Sequence, residues 1–188
     1  MAAHVALYLD FENVHRVGHG LYARGRERYT CVPEPSLIAD LIAARRQQDT
    51  EIKVIRVYRG LPNSRLEPEA ASSNAQQANQ WERRDPRVQM VRRPLAYRGW
   101  PDHPPVEKGI DVQIAVDMIQ AAMGKVFAAL ILFSSDTDLL PVVELAGGVG
   151  TPVEVACWDG AKPLRASAVH HLSAADWRKV TRDWTGRV

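Results

Sequence analysis

Short apolar segments alternate with longer segments of helical spacing along this chain, and this alternation limits the available folds more than any other feature. Residues 35–48 carry apolar side chains at spacings of three and four, which is typical of a helix. Residues 52–58 alternate apolar and polar side chains, which is typical of a strand. Alternating strands and helices favour an α/β fold layered around a mostly parallel sheet. The predicted strands are 5–9, 52–58, 87–91, 128–133 and 153–157, and the predicted helices are 35–48, 67–84, 110–123, 137–145 and 162–171.

Length and composition indicate a soluble globular protein. The 188 residues are 46% hydrophobic and 24% charged, and we expect one domain over residues 1–188. No apolar run approaches the roughly 18 residues that span a membrane, and the N-terminus lacks the basic region of a signal peptide. Cys31 and Cys157 are too few for a disulfide framework, which favours the reducing cytoplasm. We therefore expect a cytoplasmic protein with no membrane partner.

Two segments interrupt the alternation and are predicted to be loops. Residues 14–33 contain three glycines, four arginines and two tyrosines, and residues 98–108 contain three prolines and a tryptophan. Long loops in compact domains are often functional, and we expect both at the rim of one cleft. His15 and His19 have a spacing that binds zinc on a helix, but Gly18 and Gly20 argue against a helix there, and no cysteine pair is nearby.

Basic residues are mostly arginines. The chain has 19 Arg against 5 Lys, and the planar guanidinium suits phosphate oxygens and stacks on bases. Nucleic acid is therefore a reasonable partner, although a pI near 8.6 is below that of typical basic domains, and composition alone favours ordinary surface arginines. The two clusters are Arg16, Arg24, Arg26 and Arg28 in the first loop segment, and Arg83, Arg84, Arg87, Arg92, Arg93 and Arg98 further on.

Carboxylates follow two predicted strands and open one predicted helix. Asp10 comes after the first strand, Asp136 and Asp138 follow the strand at 128–133, and Asp111 begins the helix at 110–123. Ligands of open α/β sheets bind beyond the carboxyl ends of the strands, so these side chains converge if their strands are neighbours. Four carboxylates this close repel one another unless a cation compensates. All-oxygen ligands select hard ions, so the predicted cofactor is Mg²⁺ or Mn²⁺.

Each of these aspartates also has an ordinary structural interpretation. Asp136 is a good N-cap residue for the helix that follows. Asp111 and Asp138 would lie in first turns, where acids interact favourably with the helix dipole. Asp117 points about 120° away from Asp111 around its helix, at about 100° per residue, and we interpret it as structural or as a neighbour of the site.

Three motifs together resemble the NYN domain family, a branch of the PIN-like nucleases. They are Asp10 with Asn13 after the first strand, Lys108-Gly109 with Asp111 at the start of a helix, and the turn 134–139, Ser-Ser-Asp-Thr-Asp-Leu. The resemblance spans most of the chain. Ser135 stands where the family usually has Gly, and Leu139 where it usually has Phe. Because Gly tolerates backbone angles that Ser does not, Ser135 could alter the turn that places Asp136, although every acidic position is retained.

The resemblance implies a PIN-like three-layer α/β/α sandwich and a Mg²⁺- or Mn²⁺-dependent endoribonuclease that leaves 5′-phosphate and 3′-hydroxyl ends. Asp10, Asp111, Asp136 and Asp138 would hold one or two metal ions, Asn13 would orient a carboxylate or a water, and Ser134 would hydrogen-bond within the turn. RNA is the implied substrate. A homodimer and a regulatory protein partner are further expectations.

Substrate contacts are expected from the basic loops. Lys108 is a candidate for the scissile phosphate, although it could equally pair with an aspartate. The phosphate backbone is expected to follow Arg24, Arg26 and Arg28, and unpaired bases could stack on aromatic side chains. Those aromatics could also simply anchor the loops. The candidates for stacking are Tyr22, Tyr29 and Trp100.

Three other functions compete with the nuclease. A TOPRIM-like domain also uses Asp-x-Asp after a strand, with Glu12 as the acid of its first motif, but it does not predict the element at 108–111. A haloacid-dehalogenase-like phosphatase needs Asp-x-Asp after the first strand, where this chain has Asp10-Phe11-Glu12. The rival from another class is a catalytically weak or inactive PIN-like module that binds RNA or protein, and Ser135 keeps that alternative open.

Overall fold

The computed structural model describes residues 2–184, and the strands and helices in that range follow the predicted alternation. The strands are β1 (Ala3–Asp10), β2 (Val32–Pro33), β3 (Thr50–Leu61), β4 (Val88–Pro94), β5 (Ala129–Phe133), β6 (Val153–Trp158), β7 (Ala168–Leu172) and β8 (Thr181–Arg182). The helices are α1 (Phe11–Tyr22), α2 (Pro35–Arg45), α3 (Pro68–Arg84), α4 (Ile110–Gly124), α5 (Leu140–Gly148) and α6 (Ala174–Val180), with short 3₁₀ helices at Arg28–Thr30 and Thr137–Leu139.

Six strands form one sheet in the order β4-β3-β1-β5-β6-β7. Every neighbouring pair in it is parallel, while β2 and β8 form a separate antiparallel pair. From β1 the chain moves outward through β3 to β4, then returns to place β5 on the other side of β1. The order of the strands therefore reverses between β1 and β5, and such a point is where open α/β sheets bind ligands.

Helices cover both faces of the sheet, because the central strands are apolar on both sides. Leu7 and Leu9 of β1 pack in a cluster with side chains of α1, α2, α3 and α6. Ala6 and Tyr8 of the same strand pack in a second cluster with α4 and α5. The predicted α/β three-layer sandwich with a mostly parallel sheet is thus confirmed.

The predicted loop at 14–33 is wrong over its first part, where α1 continues to Tyr22. Glycine is a poor helix former, but Gly18 lies where a larger residue would collide with its neighbours. A Cβ atom there would be 2.3 Å from the ring of Trp177 and 2.7 Å from that of Trp158. Tertiary packing thus requires this glycine within the helix. The remainder of 14–33 is mostly irregular.

The predicted helix at 162–171 is also wrong. Residues 168–172 form β7, which pairs with β6 from Ala168 to Leu172, and the helix of this region is α6. Ser173 is the N-cap of this helix, and the side chains of Ser173 and Asp176 form a reciprocal capping box. Hydrogen-bonded pairing with β6 outweighs the local preference, since propensity is only a weak guide to tertiary structure.

No helix within residues 2–184 is long and apolar enough to cross a membrane. Cys31 and Cys157 are both buried and unpaired.

Candidate metal centre

Asp10 occupies the point where β1 ends and α1 begins. Its carboxylate accepts a hydrogen bond from the backbone N–H of Asn13 (3.4 Å), so it is the N-cap of α1. Only 4% of the residue is exposed. A buried strand followed directly by a helix therefore holds this carboxylate at the carboxyl edge of the sheet, one residue beyond the pairing of Leu9 with Phe133 of β5.

The turn after β5 is hydrogen-bonded to the start of α1. The Ser134 hydroxyl donates to Asp10 Oδ2 (2.8 Å) and accepts from the backbone N–H of Asp136 (3.0 Å). Asn13 Oδ1 accepts from the backbone N–H of Ser135 (3.0 Å). Ser134 thus forms a hydrogen bond within the turn, and the Asn13 side chain binds the turn backbone.

Ser135 fits this turn without backbone strain. In the described part of the chain, Lys125 is the one non-glycine residue with a positive φ. Ser135 therefore does not occupy the left-handed conformation that would require glycine. The backbone therefore shows no sign that Ser135 alters the turn that places Asp136.

Asp111 reaches the same place from α4. Gly109, at φ 77°, precedes the helix and has the left-handed conformation that glycine adopts readily. One carboxylate oxygen from each of Asp10, Asp111 and Asp136 lies within 4.8 Å of the other two. Three of the four aspartates singled out from the sequence are therefore brought together, each from a different element.

Asp138 and Asp117 lie outside this group of three. Asp138 is exposed, and its backbone N–H donates to Asp136 Oδ1 (3.0 Å). Asp136 therefore caps the 3₁₀ helix and also belongs to the acidic group. Asp117 is buried and accepts hydrogen bonds from Tyr58 (2.8 Å) and Gln113 (2.9 Å), so its role is structural.

Mutual repulsion and burial make the acidic group electrostatically unfavourable on its own. Burial raises the pKa of Asp10 to about 7, against opposing hydrogen bonds from Ser134 and Asn13, and the charge of Asp111 adds to the rise. The pKa of Asp111 is also raised, by burial and by Asp136 and Asp138. Carboxylates that repel one another in this way are stabilised when a cation compensates their charge.

Two acids that the motifs did not single out as ligands also line this site. A cavity of about 200 Å³ surrounds the aspartates, and Glu12, Arg16 and Glu107 contribute to its lining. Glu107 accepts a hydrogen bond from the backbone N–H of Gly60 (2.5 Å), and its pKa is raised by burial and by the neighbouring Glu12. The position of Glu107 directly before Lys108-Gly109 could have indicated that it belongs to this site. Its contact with Gly60 of β3, however, depends on the tertiary fold.

The basic residues chosen from the sequence lie on the surface. Lys108, Arg24 and Arg26 are exposed, and none forms an ion pair within the described range. Arg28 is also exposed, and it pairs with Glu12 at 2.9 Å. Glu12 lines the acidic cavity. Its partner Arg28 therefore lies at the edge of that cavity, next to the group of three aspartates.

Of the three aromatic candidates, Tyr29 is the exposed one. The Tyr22 hydroxyl donates to the carbonyl oxygen of Asp159 (2.6 Å) and anchors its segment. Trp100 packs edge-on against Tyr97, with ring centroids 5.6 Å apart. Tyr29 is 52% exposed. The two histidines lie on α1 after all, and the Nε2 atoms of His15 and His19 are each engaged by a backbone carbonyl, of Arg28 and Arg26 respectively.

The six-stranded sheet is all-parallel, and three carboxylates lie together where the order of its strands reverses. The chain is therefore an α/β protein with a candidate metal centre. The family model of the NYN domain matches residues 4–175, and the chain belongs to the NYN domain family, whose members are generally nucleases of PIN-like fold. No curated protein matches the sequence. A crystal structure of a Vibrio parahaemolyticus protein of unknown function is similar in fold, with a TM-score of 0.62, 16% identity and coverage of 91% of this chain and 93% of that one.

Proposed function

We propose that the protein is a metal-dependent endoribonuclease that hydrolyses phosphodiester bonds of RNA. The observation that carries the proposal is the group formed by Asp10, Asp111 and Asp136, whose oxygens lie within 4.8 Å of one another. It occurs at the carboxyl edge of the sheet in a member of a nuclease family. Membership of that family favours nucleic acid as substrate.

The residues present fit a divalent cation. Three carboxylates provide hard oxygen ligands, which suit Mg²⁺ or Mn²⁺, and burial together with neighbouring carboxylates raises the pKa of both Asp10 and Asp111. Asp10, Asp111 and Asp136 would hold the ion, and the exposed Asp138 would contact it through water. When bound, such an ion lowers the pKa of water and stabilises charge on the attacked phosphate.

The other residues of the site would position the carboxylates and bind the RNA. Ser134 and Asn13 hold the turn against α1 and so keep Asp10 and Asp136 in place. Lys108, Arg24, Arg26 and Arg28 would contact phosphates of the RNA, since exposed cations on loops suit a flexible polyanion. These contacts would orient the scissile bond beside the three carboxylates.

The test combines metal binding with cleavage. Titration calorimetry of Mn²⁺ into metal-free protein should show binding that Asp10→Asn removes. Asp49→Asn is a matched control, because Asp49 is exposed and lies next to Ala3 at the opposite edge of the sheet. Incubation of labelled RNA with Mn²⁺ should give products that Asp136→Asn abolishes.

Two outcomes would contradict the proposal. Absence of Mn²⁺ binding by the folded wild type would leave the aspartates as helix caps. Equal RNA binding by the wild type and Asp136→Asn, with no cleavage by either, would instead indicate a module that binds RNA without cutting it.

A further inference from the structure

The helix α4 is apolar on its outward face as well as on its inward face. Its inward face supplies Ile114, Met118 and Ala122 to the second core cluster, and all three are fully buried. On the other side of the helix, apolar side chains follow one another at spacings of four, three, four and three residues. The outer face of a surface helix is usually polar, so a helix that is apolar all round indicates a further partner. This outward row, called the α4 stripe below, consists of Val112, Val116, Ile119, Met123 and Val126.

The α4 stripe is exposed along its length. Val112 is 66% exposed, Val116 46% and Met123 68%. Val126, two residues past the end of the helix, is 66% exposed, and Ile119 is half-buried against the second core cluster. From Val112 to Met123 the stripe is about 16 Å long, at 1.5 Å per residue. Single exposed apolar residues are ordinary, but a contiguous row of them marks an interaction surface.

The stripe carries no charge. Between Asp111 and Lys125 the one ionisable residue is Asp117, which is buried and accepts a hydrogen bond from Tyr58 (2.8 Å). Charged residues are depleted at the centre of protein interfaces. Helices that lie on membranes, in contrast, carry Lys or Arg on their polar face, and residues 110–124 contain neither. The composition of α4 therefore favours a protein partner over a lipid surface.

The residues of the stripe follow nearly the same order in both directions. Val112 and Val126 each lie seven residues from Ile119, while Val116 and Met123 lie three and four residues from it. Such a face is complementary to itself when a second copy is rotated by 180° about an axis at Ile119, as in isologous dimers. Val116 of each copy would then lie against Met123 of the other. A different partner would require no such symmetry, so the pattern favours a second copy of this chain.

Charges at the two ends of α4 favour an antiparallel arrangement of the helices. Asp111 lies in the first turn, and the exposed Lys125 is the C-cap. In an antiparallel pair, Lys125 of each copy approaches the end of the other helix that carries Asp111, and the helix dipoles oppose each other favourably. A parallel pair would place like charges side by side. The charges therefore agree with the two-fold symmetry of the stripe.

We propose that the α4 stripe is the interface of a homodimer in which the two α4 helices pack antiparallel about Ile119. The inference goes beyond the proposed ribonuclease function and does not depend on it. Because the contact is one helix wide, the buried area should be at the low end for specific interfaces, about 1,000 Å² in total. The dimer should therefore dissociate on dilution.

Sedimentation of the metal-free full chain tests this assignment at concentrations from about 1 µM to about 500 µM, which include the range of weak complexes. We expect the mass of a dimer at the upper end. Val116→Glu should raise the dissociation constant of the dimer at least about a hundredfold, since the two-fold symmetry introduces each charge twice. Val116 is exposed, so the variant should keep its fold, and thermal melting verifies this.

A matched control introduces the same charge at an exposed apolar residue outside the stripe. Leu21 of α1 is 41% exposed, and α1 packs on the opposite face of the sheet in the first core cluster. Leu21→Glu should leave the dissociation constant unchanged.

A pair of opposite charges tests the orientation of the helices. Met123→Lys alone should weaken the dimer as Val116→Glu does. Combined in one chain, the two substitutions should lower the dissociation constant at least about tenfold relative to either single variant, because antiparallel packing brings residue 116 of one copy against residue 123 of the other. No recovery in the double variant would contradict the antiparallel arrangement.

Two results would overturn the interface itself. One is a wild type that stays monomeric at the highest concentration, including a monomer that instead binds phospholipid vesicles through the stripe. The other is a dimer whose dissociation constant neither Val116→Glu nor Met123→Lys changes, because its interface would then lie elsewhere on the surface.

Discussion

Asp10 combines two roles that oppose each other energetically. As an N-cap it stabilises the start of α1. As a buried carboxylate beside Asp111 it is costly to ionise, and its pKa rises to about 7. A residue that served only the helix would be better as an uncharged asparagine, which caps equally well. The retained charge at this position is what makes the site suited to a cation.

We expect Asp10→Asn to stabilise the metal-free protein at pH 8 while it removes Mn²⁺ binding. The pKa of Asp10 is about 7 in the folded state against an ordinary 3.8, so the folded protein holds this proton more tightly than the unfolded chain. Stability from Asp10 therefore falls as pH rises from about 4 to about 7. The variant should gain about 2–4 kcal/mol at pH 8 and much less near pH 4.

Urea denaturation in the presence of a chelator, at both pH values, measures this difference. A variant that is less stable than the wild type at pH 8 would contradict the electrostatic account of Asp10.

His15 should make the protein less stable in mild acid. Burial, helped by the charge of Arg28, lowers its pKa to about 3, and the neutral ring bonds the carbonyl oxygen of Arg28 (3.2 Å). Below pH 6.5 the unfolded chain takes up a proton that the folded protein does not, so stability falls as pH decreases toward 3. We expect His15→Gln to reduce the loss between pH 7 and pH 4.5 by about 2 kcal/mol.

Denaturant titrations of the two proteins across this pH range provide the measurement. Parallel stability curves would show that His15 is not held neutral.

At the scale of single elements, α1 connects the metal centre to the core. Its first turn supplies the cap at Asp10 and the amide of Asn13 that binds the turn after β5. Its later turns pack on Trp158 and Trp177, and the Trp158 indole N–H donates to the carbonyl oxygen of Val14 (2.8 Å). A change in the packing of α1 would therefore be transmitted to the acidic group.

Gly18 and Gly20 of α1 should respond in opposite ways to alanine. At Gly18 a Cβ atom would lie 2.3 Å from the Trp177 ring, whereas at Gly20 nothing lies within 4 Å. Overpacking should make Gly18→Ala less stable by about 1–3 kcal/mol. Gly20→Ala should be more stable by about 0.5–1 kcal/mol, since alanine is the better helix former.

Thermal and urea denaturation compare the two variants directly. Equal effects at both positions would mean that the two tryptophans move aside, and Gly18 would then have no steric role.

At the scale of the whole molecule, an ion network joins segments that are distant in sequence. Arg46, after α2, contacts Glu154 of β6 through two hydrogen bonds of 2.6 and 3.0 Å. His170 of β7 lies 2.7 Å from the same carboxylate. Although burial opposes ionisation, the bonds from His170 and Arg46 lower the pKa of Glu154 to about 2. The network therefore secures one edge of the sheet against the α2 layer.

We expect Arg46→Met to destabilise the protein by about 3 kcal/mol, because removal of one partner leaves a buried charge insufficiently compensated. Both side chains of the pair are at most 10% exposed. Arg46→Met combined with Glu154→Gln should recover part of the loss. Lys53→Met, which removes an exposed ion pair with Glu51, is the control and should leave the melting temperature nearly unchanged.

Denaturation of the single and double variants gives the coupling energy of the pair. A single variant as stable as the wild type would show that His170 alone compensates Glu154.

The sequence by itself determined the layers of the fold and the group of three carboxylates. Strand-length apolar runs and helical spacing are local properties, so they identified the sheet. Asp10, Asp111 and Asp136 could be predicted to converge because each follows a strand or begins a helix at one edge of that sheet. Asp138 has the same local signature, yet it is exposed, since a turn of the backbone decides where its side chain points.

Only the tertiary structure decided what depends on contacts between distant segments. From the sequence, Gly18 indicates the end of a helix, but in the structure it provides the space that the Trp177 ring occupies. Residues 168–172 form a strand because they pair with β6. Glu107 joins the acidic cavity through the amide of Gly60, and Asn74 lines a larger cavity formed by separate segments. Local patterns contain no information on such contacts, because burial and hydrogen bonding are settled by the folded chain as a whole.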